Sequence, residues 1–223
     1  SIVQKSRYRM STIQQKIVSY VIANMQMCDK PSDPVTFRVA DFLKDFEMDR
    51  SNAMYAYIKE NTKAVRDKSV WIDIGEGKSE TCSWFTKITW ESNGNIITVK
   101  IDEAMMKYIS NLRERFGMYE LSNVARIKSQ YSYRLYEYLN SFANLGKPLV
   151  VDMKKLKEVM DAVDAYDGST AEFKRKILDL AVNEINNKTN LRCSYENIKH
   201  GREIIAIKFK VKKIKKETKD KDI

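Results

Sequence analysis

The side chains with the most distinctive chemistry lie in one amphipathic stretch, residues 169–186. Apolar residues recur there at the period of an α-helix and predict a core-facing stripe of Phe173, Ile177, Leu178, Ala181 and Ile185. The opposite face carries four candidates for reading DNA bases, which are Arg175, Lys176, Glu172 and Asp179. Arginine can pair with guanine through two hydrogen bonds, and an acidic side chain can accept one from cytosine. A face that simply contacts water is the alternative interpretation.

Glu172 has a competing role at the start of this stretch. Ser169 and Glu172 have the spacing of a capping box, in which the glutamate side chain bonds back to the serine amide. We favour that role for Glu172 over base contact. Thr170 and Lys174 lie near the helix N-terminus, where free N–H groups and the helix dipole attract phosphate. We therefore predict that both contact the DNA backbone.

A second set of side chains has the chemistry to bind phosphates without reading bases. Three of them, Lys199, His200 and Arg202, lie at a turn between two strand-like segments. Three weaker candidates, Lys59, Lys63 and Arg66, lie in a helical stretch of the N-terminal half. Phosphate contacts position a protein on DNA but carry no sequence information. Arg134 and Glu137, on another helix, are expected to form either an internal salt bridge or a DNA contact.

Catalytic and metal-binding motifs find little support in the sequence. His200 is the single histidine, so neither a zinc site with regular ligand spacing nor a Ser–His pair independent of His200 is expected. Gly77, Lys78 and Ser79 resemble the end of a phosphate-binding loop, but that motif requires a glycine where Ile72 stands. The better prediction there is a polar hairpin tip. We therefore expect no enzymatic activity, no metal and no cofactor.

The charge balance favours an anionic partner. The chain has 40 Lys and Arg against 30 Asp and Glu, which gives a net charge of +10, and such a surplus favours nucleic acid or, less often, an anionic membrane. Residues 208–223 hold eight lysines and three acidic residues, so half of the surplus lies near the C-terminus. No apolar run approaches the roughly 18 residues that span a bilayer, and the chain does not open with a charged-then-apolar leader pattern, so we do not expect secretion. Cys28, Cys82 and Cys193 form no CxxC pair, which favours reduced thiols in the cytoplasm.

The candidate residues are positioned by a series of elements that occurs twice. Each copy is predicted to contain a helix, a short strand, a short helix, a longer helix and a β-hairpin. The first copy comprises a helix after Ser11, a strand 35–39, helices 40–46 and 51–66, and strands 70–72, 84–90 and 96–101. The second comprises helices 125–142, 153–163 and 169–186, with strands 149–151, 191–195 and 203–211. Tyr20 and Tyr138 are 118 residues apart, and Lys68 and Lys188 are 120 apart.

This order is typical of a winged helix, a helix-turn-helix variant whose third helix enters the major groove while the hairpin wing contacts the backbone. The predicted fold class is α+β, with two tandem winged-helix domains. The predicted boundaries are residues 1–112 for the first domain, 113–122 for a linker, 123–211 for the second domain and 212–223 for a basic tail. A further helix is expected at 101–112.

Several motifs of the second copy occur in the order found in one protein family. They are KSQYSYRLYE at 128–137, FKRKIL at 173–178, Ala181, EIN at 184–186, KT at 188–189, and Tyr195, Glu196, Ile198, Lys199, Gly201, Arg202 and Phe209 in the hairpin. In the first copy, Gln14, Gln15 and Lys16 also fit, as does Leu121. The series resembles the iteron-binding plasmid replication initiators, the Rep proteins of theta-replicating plasmids, over nearly the whole chain.

The resemblance implies that the C-terminal domain recognises the iteron, a directly repeated origin sequence, through its third helix. It implies that the N-terminal domain adds backbone contacts and a dimer interface, and that dimers repress the protein's own promoter. The expected partners are double-stranded origin DNA, a second copy in equilibrium with monomer, and host replication proteins, in the cytoplasm and without a membrane. A transcriptional regulator with tandem winged helices and a protein-interaction module remain the alternatives.

Overall fold

The computed structural model describes residues 10–25, 33–106, 109, 121–144, 146–166 and 169–214. Cys28, most of the predicted linker and the last nine residues of the predicted tail lie outside the described residues. The helix expected at 101–112 lies partly outside them as well, although residues 103–106 and 109 are helical.

The N-terminal half begins with helix α1 (Thr12–Asn24), whose cap is a complete capping box formed by Ser11 and Gln14. It continues through β1 (Val35–Arg38), α2 (Val39–Asp45) and α3 (Asn52–Arg66). Four strands follow, which are β2 (Ser69–Gly75), β3 (Lys78–Ser83), β4 (Phe85–Glu91) and β5 (Ile96–Ile101). β1, β5 and β4 form a three-stranded antiparallel sheet, and β2 and β3 form a separate hairpin.

The turn between β2 and β3 confirms the polar hairpin tip. Glu76 and Gly77 form this turn with positive φ angles of 52° and 72°, and Lys78 is already in the next strand. A phosphate-binding loop would instead lead into a helix. The sequence GKS therefore closes a hairpin that is inserted between helix α3 and the wing of the first half.

The C-terminal half repeats this order with two differences, a short helix at its start and no counterpart of the β2–β3 hairpin between its longer helix and its wing. It contains α4 (Leu121–Val124), α5 (Gln130–Asn140), β6 (Leu149–Asp152) and α6 (Met153–Val159). Next comes α7, which consists of an α-helical turn Thr170–Phe173, a π-helical segment Lys174–Leu178 and an α-helix Asp179–Lys188. Strands β7 (Leu191–His200) and β8 (Glu203–Lys213) complete it, and the sheet order β6-β8-β7 matches β1-β5-β4.

The two short helices α2 and α6 end in the same way, which extends the internal repeat to local geometry. Both terminate in a Schellman motif whose left-handed residue is acidic, Glu47 (φ 52°) after α2 and Asp161 (φ 56°) after α6. In α2, Met48 N–H donates to the Leu43 carbonyl at 2.8 Å; in α6, the N–H of Ala162 donates to the carbonyl of Lys157 at 2.8 Å. The prediction that this helix continues to Val163 is wrong, because Asp161 reverses the chain.

Three other predicted boundaries also change. The helix predicted at 125–142 begins at Gln130, because Ser129 is extended and its hydroxyl accepts from the N–H groups of Tyr131 and Ser132. The wing strands are longer than predicted, since β7 runs to His200 and β8 to Lys213. The first two residues of the predicted tail therefore belong to a strand.

The two halves are joined through one continuous apolar core. Helix α1 of the first half contacts α4 and α5 of the second. The buried Tyr133 hydroxyl donates to Ser19 Oγ at 2.7 Å, and Lys16 Nζ donates to the Ala125 carbonyl at 2.6 Å. Burial lowers the pKa of Lys16 to about 8. These polar contacts fix how the two halves meet.

Candidate nucleic-acid interface

Helix α7 carries the residues predicted to read DNA bases, and it contains the π-helical segment Lys174–Leu178. A π-helix bonds i to i+5 and therefore has more residues per turn than an α-helix. Arg175 and Lys176 are both exposed, Ile177 and Leu178 are both buried, and Asp179 and Leu180 are again exposed. The predicted core stripe of this helix is confirmed, since its five members are buried. The π segment thus presents two cations side by side.

Glu172 does not form the predicted capping box. The Ser169 hydroxyl accepts from the Glu172 N–H at 3.2 Å, but the N–H of Ser169 donates to the Tyr166 carbonyl at 3.1 Å. The Glu172 carboxylate instead accepts from Arg175 Nη2 at 2.9 and 3.0 Å and from Lys176 Nζ at 2.9 Å. The expected capping role is therefore wrong, because two cations in the next turn form charge-assisted bonds with this carboxylate.

These bonds organise the cations on the exposed face. Hydrogen bonds from Arg175 and Lys176 hold the pKa of Glu172 below its usual range, and the same carboxylate raises the pKa of Arg175. The Lys176 ammonium also lies 4.8 Å from the centre of the Tyr166 ring. A guanidinium, an ammonium and a carboxylate are thereby presented as one cluster, with a donor set that suits guanine and an acceptor that suits cytosine.

On the wing side, α7 is fixed to strand β7. The Tyr195 hydroxyl donates to the Asp179 carboxylate, and the Lys174 ammonium lies 5.3 Å from the centre of the Tyr195 ring. Burial, followed by the bond to Asp179, raises the pKa of Tyr195 above its usual range. Asn186 accepts from the Cys193 N–H at 2.7 Å and donates to the Cys193 carbonyl at 2.9 Å. The angle between helix and wing is thus held by polar bonds.

On the opposite side, α7 is fixed to the start of α5 by Glu184. Its carboxylate accepts from the N–H groups of Lys128 at 2.9 Å and Ser129 at 3.2 Å, and from Lys188 Nζ at 2.7 Å. Burial alone would raise the pKa of Glu184, but hydrogen bonds from the Lys188 and Ser132 side chains and from the two backbone N–H groups outweigh it and leave the pKa lowered. These contacts anchor α7 on both sides and orient its exposed face.

The wing tip carries the predicted phosphate contacts. Gly201 turns the chain at φ 59°, and Lys199, His200 and Arg202 around it are exposed. Thr170 is half-buried in the first turn of α7. Lys210 Nζ and Glu196 Oε1, on the two strands of the wing, are 2.6 Å apart. The hairpin therefore extends from the sheet with a cationic end.

Arg134 and Glu137 form the internal pair rather than a DNA contact. Arg134 is only 5% exposed, its Nε donates to the Val159 carbonyl at 3.2 Å, and its Nη1 lies 4.0 Å from Glu137 Oε2. Burial raises the pKa of Glu137 to about 7. Arg134 therefore ties α5 to the end of α6 inside the second half, and Glu137 pairs with it within α5.

The first half places its predicted phosphate contacts along a groove of about 360 Å³ between α3 and β4. Lys59, Lys63 and Arg66 line one side and Lys87 lines the other, and the Lys59 ammonium lies 5.1 Å from the Trp90 ring centre. Sequence reasoning missed Lys87 and Trp90, because only the pairing of β4 with β5 brings them opposite α3. On α7 it also missed Asn187, which donates to Asn183 Oδ1 at 2.9 Å.

The described part of the chain contains no group of three metal-ligating side chains. No helix within these residues has the length and apolarity to cross a bilayer. Cys82 and Cys193 are buried free thiols, and burial raises the pKa of each to about 11, so both are neutral at pH 7.

Comparisons with known proteins agree with this geometry. The family model described as "Initiator Replication protein, WH1" matches residues 1–140, and "Initiator Rep protein, WH2" matches residues 152–211. An uncharacterized 27.6 kDa protein of Escherichia coli is 26% identical over 172 residues, which are 76% of this chain and 71% of that protein.

Two solved structures share the fold. The Pi initiator protein in complex with iteron DNA matches with a TM-score of 0.69 at 18% identity, over 92% of this chain and 94% of that one. Domains 2 and 3 of RctB match with a TM-score of 0.59 at 11% identity, over 91% and 82%. The prediction of two tandem winged-helix domains in an α+β fold is confirmed.

Proposed function

We propose that this protein binds double-stranded DNA at the direct repeats of a plasmid origin and thereby initiates replication. The premise is that the chain belongs to the family of iteron-binding initiator replication proteins. The observation that carries this proposal is the exposed cluster of Arg175, Lys176 and Glu172 on a helix anchored by Glu184 on one side and Asn186 on the other. A reading helix has to be held rigidly, because a small displacement breaks paired hydrogen bonds to a base.

In this proposal α7 enters the major groove. Arg175, Lys176, Glu172 and Asp179 contact base edges, while Thr170, Lys174, Lys199, His200 and Arg202 contact phosphates on either side. Lys59, Lys63 and Arg66 add backbone contacts from the first half. Asp179 requires the bond from Tyr195 to open or to be shared with a base. The supporting feature is the division of the surface into three parts. The exposed face of α7 carries both donors and acceptors, whereas the wing tip and the α3 groove carry mainly cations.

The two halves take different tasks in the proposal. Residues 1–112 provide backbone contacts and self-association, 113–122 join the domains, 123–211 recognise the repeat, and the tail 212–223 adds affinity without specificity. Strand β4 lies at an edge of the β1-β5-β4 sheet, where unpaired backbone groups can accept a strand from a second copy. Dimers repress the protein's own promoter, and monomers act at the origin in the cytoplasm together with host replication proteins.

Selection of genomic and plasmid fragments by the full chain, followed by sequencing, tests the main proposal. We expect the enriched fragments to share tandem direct repeats, and a duplex with several repeats to be bound more tightly than one with a scrambled sequence. Enrichment of a single inverted repeat would favour the alternative, a transcriptional regulator. Binding without sequence preference would contradict the proposal.

Sedimentation of the full chain tests the proposed self-association. We expect dimers to form with rising protein concentration and to dissociate when a duplex carrying one direct repeat is added. The full chain is required because α1 packs against α5, so separate halves would expose their shared core. A dimer that stays intact on the direct repeat would contradict competition between dimerisation and origin binding.

A further inference from the structure

Leu180 is an apolar residue of α7 that lies largely outside the hydrophobic core. Its exposed fraction is 61%, and it is the large apolar residue that α7, described in full, leaves open to solvent. The neighbouring apolar residues Ile177, Leu178 and Ala181 are all buried. A leucine placed this way contributes little to stability, because burial is what makes an apolar side chain stabilising.

The position of Leu180 follows from the helical period. Leu180 lies in the α-helical part of α7, four residues after Lys176, and therefore on the same exposed side of the helix. It borders a groove of about 300 Å³ between α5 and α7, whose other lining includes Tyr131, Ile177 and Glu184 as well as Lys176, Asn183, Asn187 and Lys188. Leu180 is the exposed apolar residue of this groove, since Tyr131 is half-buried and Ile177 is buried. One exposed apolar group beside cations and amides suits a polyanion better than the apolar face of a protein.

One apolar group in the DNA major groove identifies a base, and it is the 5-methyl group of thymine. We propose that Leu180 reads this methyl group, next to bases contacted by Lys176 on one side and Asn183 on the other. An amide such as Asn183 can pair with adenine, and Lys176 can donate to guanine. This inference rests on the proposed function, because it requires α7 to enter the major groove. It adds a determinant of sequence preference that uses no hydrogen bond.

A deoxyuridine scan tests the proposal. Each thymine of the selected repeat is replaced in turn by deoxyuridine, which lacks only the methyl group, and binding of wild type and Leu180→Ala is measured on each duplex. For wild type we expect one position at which the replacement weakens binding roughly fourfold, the value of about one buried methyl group. Leu180→Ala should bind the unmodified repeat correspondingly weakly and show no further loss at that position.

The substitution itself leaves the fold intact, because alanine is the best helix former and Leu180 is mostly exposed. Circular dichroism checks this directly. Val150→Ala is the matched control, since Val150 is an apolar residue that is 56% exposed on β6, away from α7. We expect this variant to keep the deoxyuridine profile of wild type.

Three outcomes would overturn the proposal. They are a wild-type profile without a sensitive thymine, an unchanged profile in Leu180→Ala, and an altered sedimentation of Leu180→Ala with unaltered DNA binding, which would assign Leu180 to a protein contact. The failure of the proposed function looks different. In that case wild type itself would bind the repeat and a scrambled duplex equally well.

Discussion

Helices α3 and α7 occupy the same place in two halves that are built alike. Each begins at a serine cap, Ser51 or Ser169, whose hydroxyl accepts from the N–H three residues later. Each follows a short helix that ends in a Schellman motif, and each lies beside a sheet with the same strand order. The exposed surfaces nevertheless differ. Helix α3 lines a groove with Lys59, Lys63 and Arg66, of which Arg66 pairs with Asp67 at 3.6 Å, whereas α7 presents two cations bound to one carboxylate.

The two helices also differ in the hydrogen bonds that anchor them to the rest of the fold, and α7 has the stronger set. Asn61 on α3 accepts a neutral hydrogen bond of 3.3 Å from Gln14 on α1. Glu184 on α7 accepts three bonds, of which two come from the backbone at the start of α5. The wing strands beside α7 have 10 and 11 residues, against 7 and 6 beside α3. From this comparison we expect α7, the more firmly anchored helix, to read bases and α3 to contact only the DNA backbone.

The largest expected effect concerns this anchoring. Glu184→Gln replaces an acceptor by a donor facing two backbone N–H groups, and we expect it to lower the free energy of unfolding by about 2 kcal/mol. Asn61→Ala, the matched change in α3, should cost less, about 0.5–1 kcal/mol. Urea denaturation at pH 7 measures both. Equal losses would remove the difference in anchoring on which the comparison depends.

The effect of Glu184→Gln should also depend on pH. The pKa of Glu184 is lowered in the folded protein, so its contribution is fully present above the unfolded value of about 4.3 and is lost as the pH falls through the folded pKa. We therefore expect the gap between wild type and Glu184→Gln to be full at pH 7 and to shrink below about pH 4.5. A gap that stays constant to pH 3 would show that the charge of Glu184 is not what stabilises this contact.

The next prediction tests whether the α3 groove contacts DNA phosphates without reading bases. Replacing Lys59, Lys63 and Arg66 together by alanine should lower the slope of log affinity against log salt by about 2.7, since each phosphate contact contributes roughly 0.9. The preference for the repeat over a scrambled duplex should remain. Fluorescence anisotropy at several salt concentrations measures both quantities, and a lost preference would assign base contacts to α3.

A smaller effect is expected at the wing tip. Arg202→Ala removes one phosphate contact, so we expect a salt slope lower by about 0.9 and a uniform loss of affinity on all duplexes. Glu203→Gln, at the next position of the same turn, is the control and should not lower the slope. If Arg202→Ala weakened the repeat alone, the wing would take part in reading bases.

Much of this architecture was predictable from the sequence, because local rules specify it. The paired order of elements, the serine caps and the core stripe of α7 all follow from apolar spacing and short-range hydrogen bonding. The helix break before Gln130 was not predicted, since it depends on Ser129 and on a carboxylate 55 residues away at Glu184. Such contacts exist only after the chain has folded.

The candidate site was predictable as a set of residues but not as an arrangement. Helical periodicity placed Arg175 and Lys176 on the outer face, yet it assumed 3.6 residues per turn and could not show the π segment. Glu172 fitted a capping pattern, and the competing bonds from the next turn became evident only with coordinates. Leu180 was not among the residues predicted to contact DNA, because its side chain has no polar group.

The central claim is that α7 reads sequence while α3 only holds the backbone. Its most direct test measures Arg175→Ala and Lys63→Ala on the selected repeat and on a scrambled duplex of equal length, at one fixed salt concentration. We expect Arg175→Ala to weaken the repeat roughly ten- to a hundredfold and the scrambled duplex far less, whereas Lys63→Ala should weaken both alike. Equal loss on the two duplexes for Arg175→Ala would make Arg175 a phosphate contact and would contradict the account.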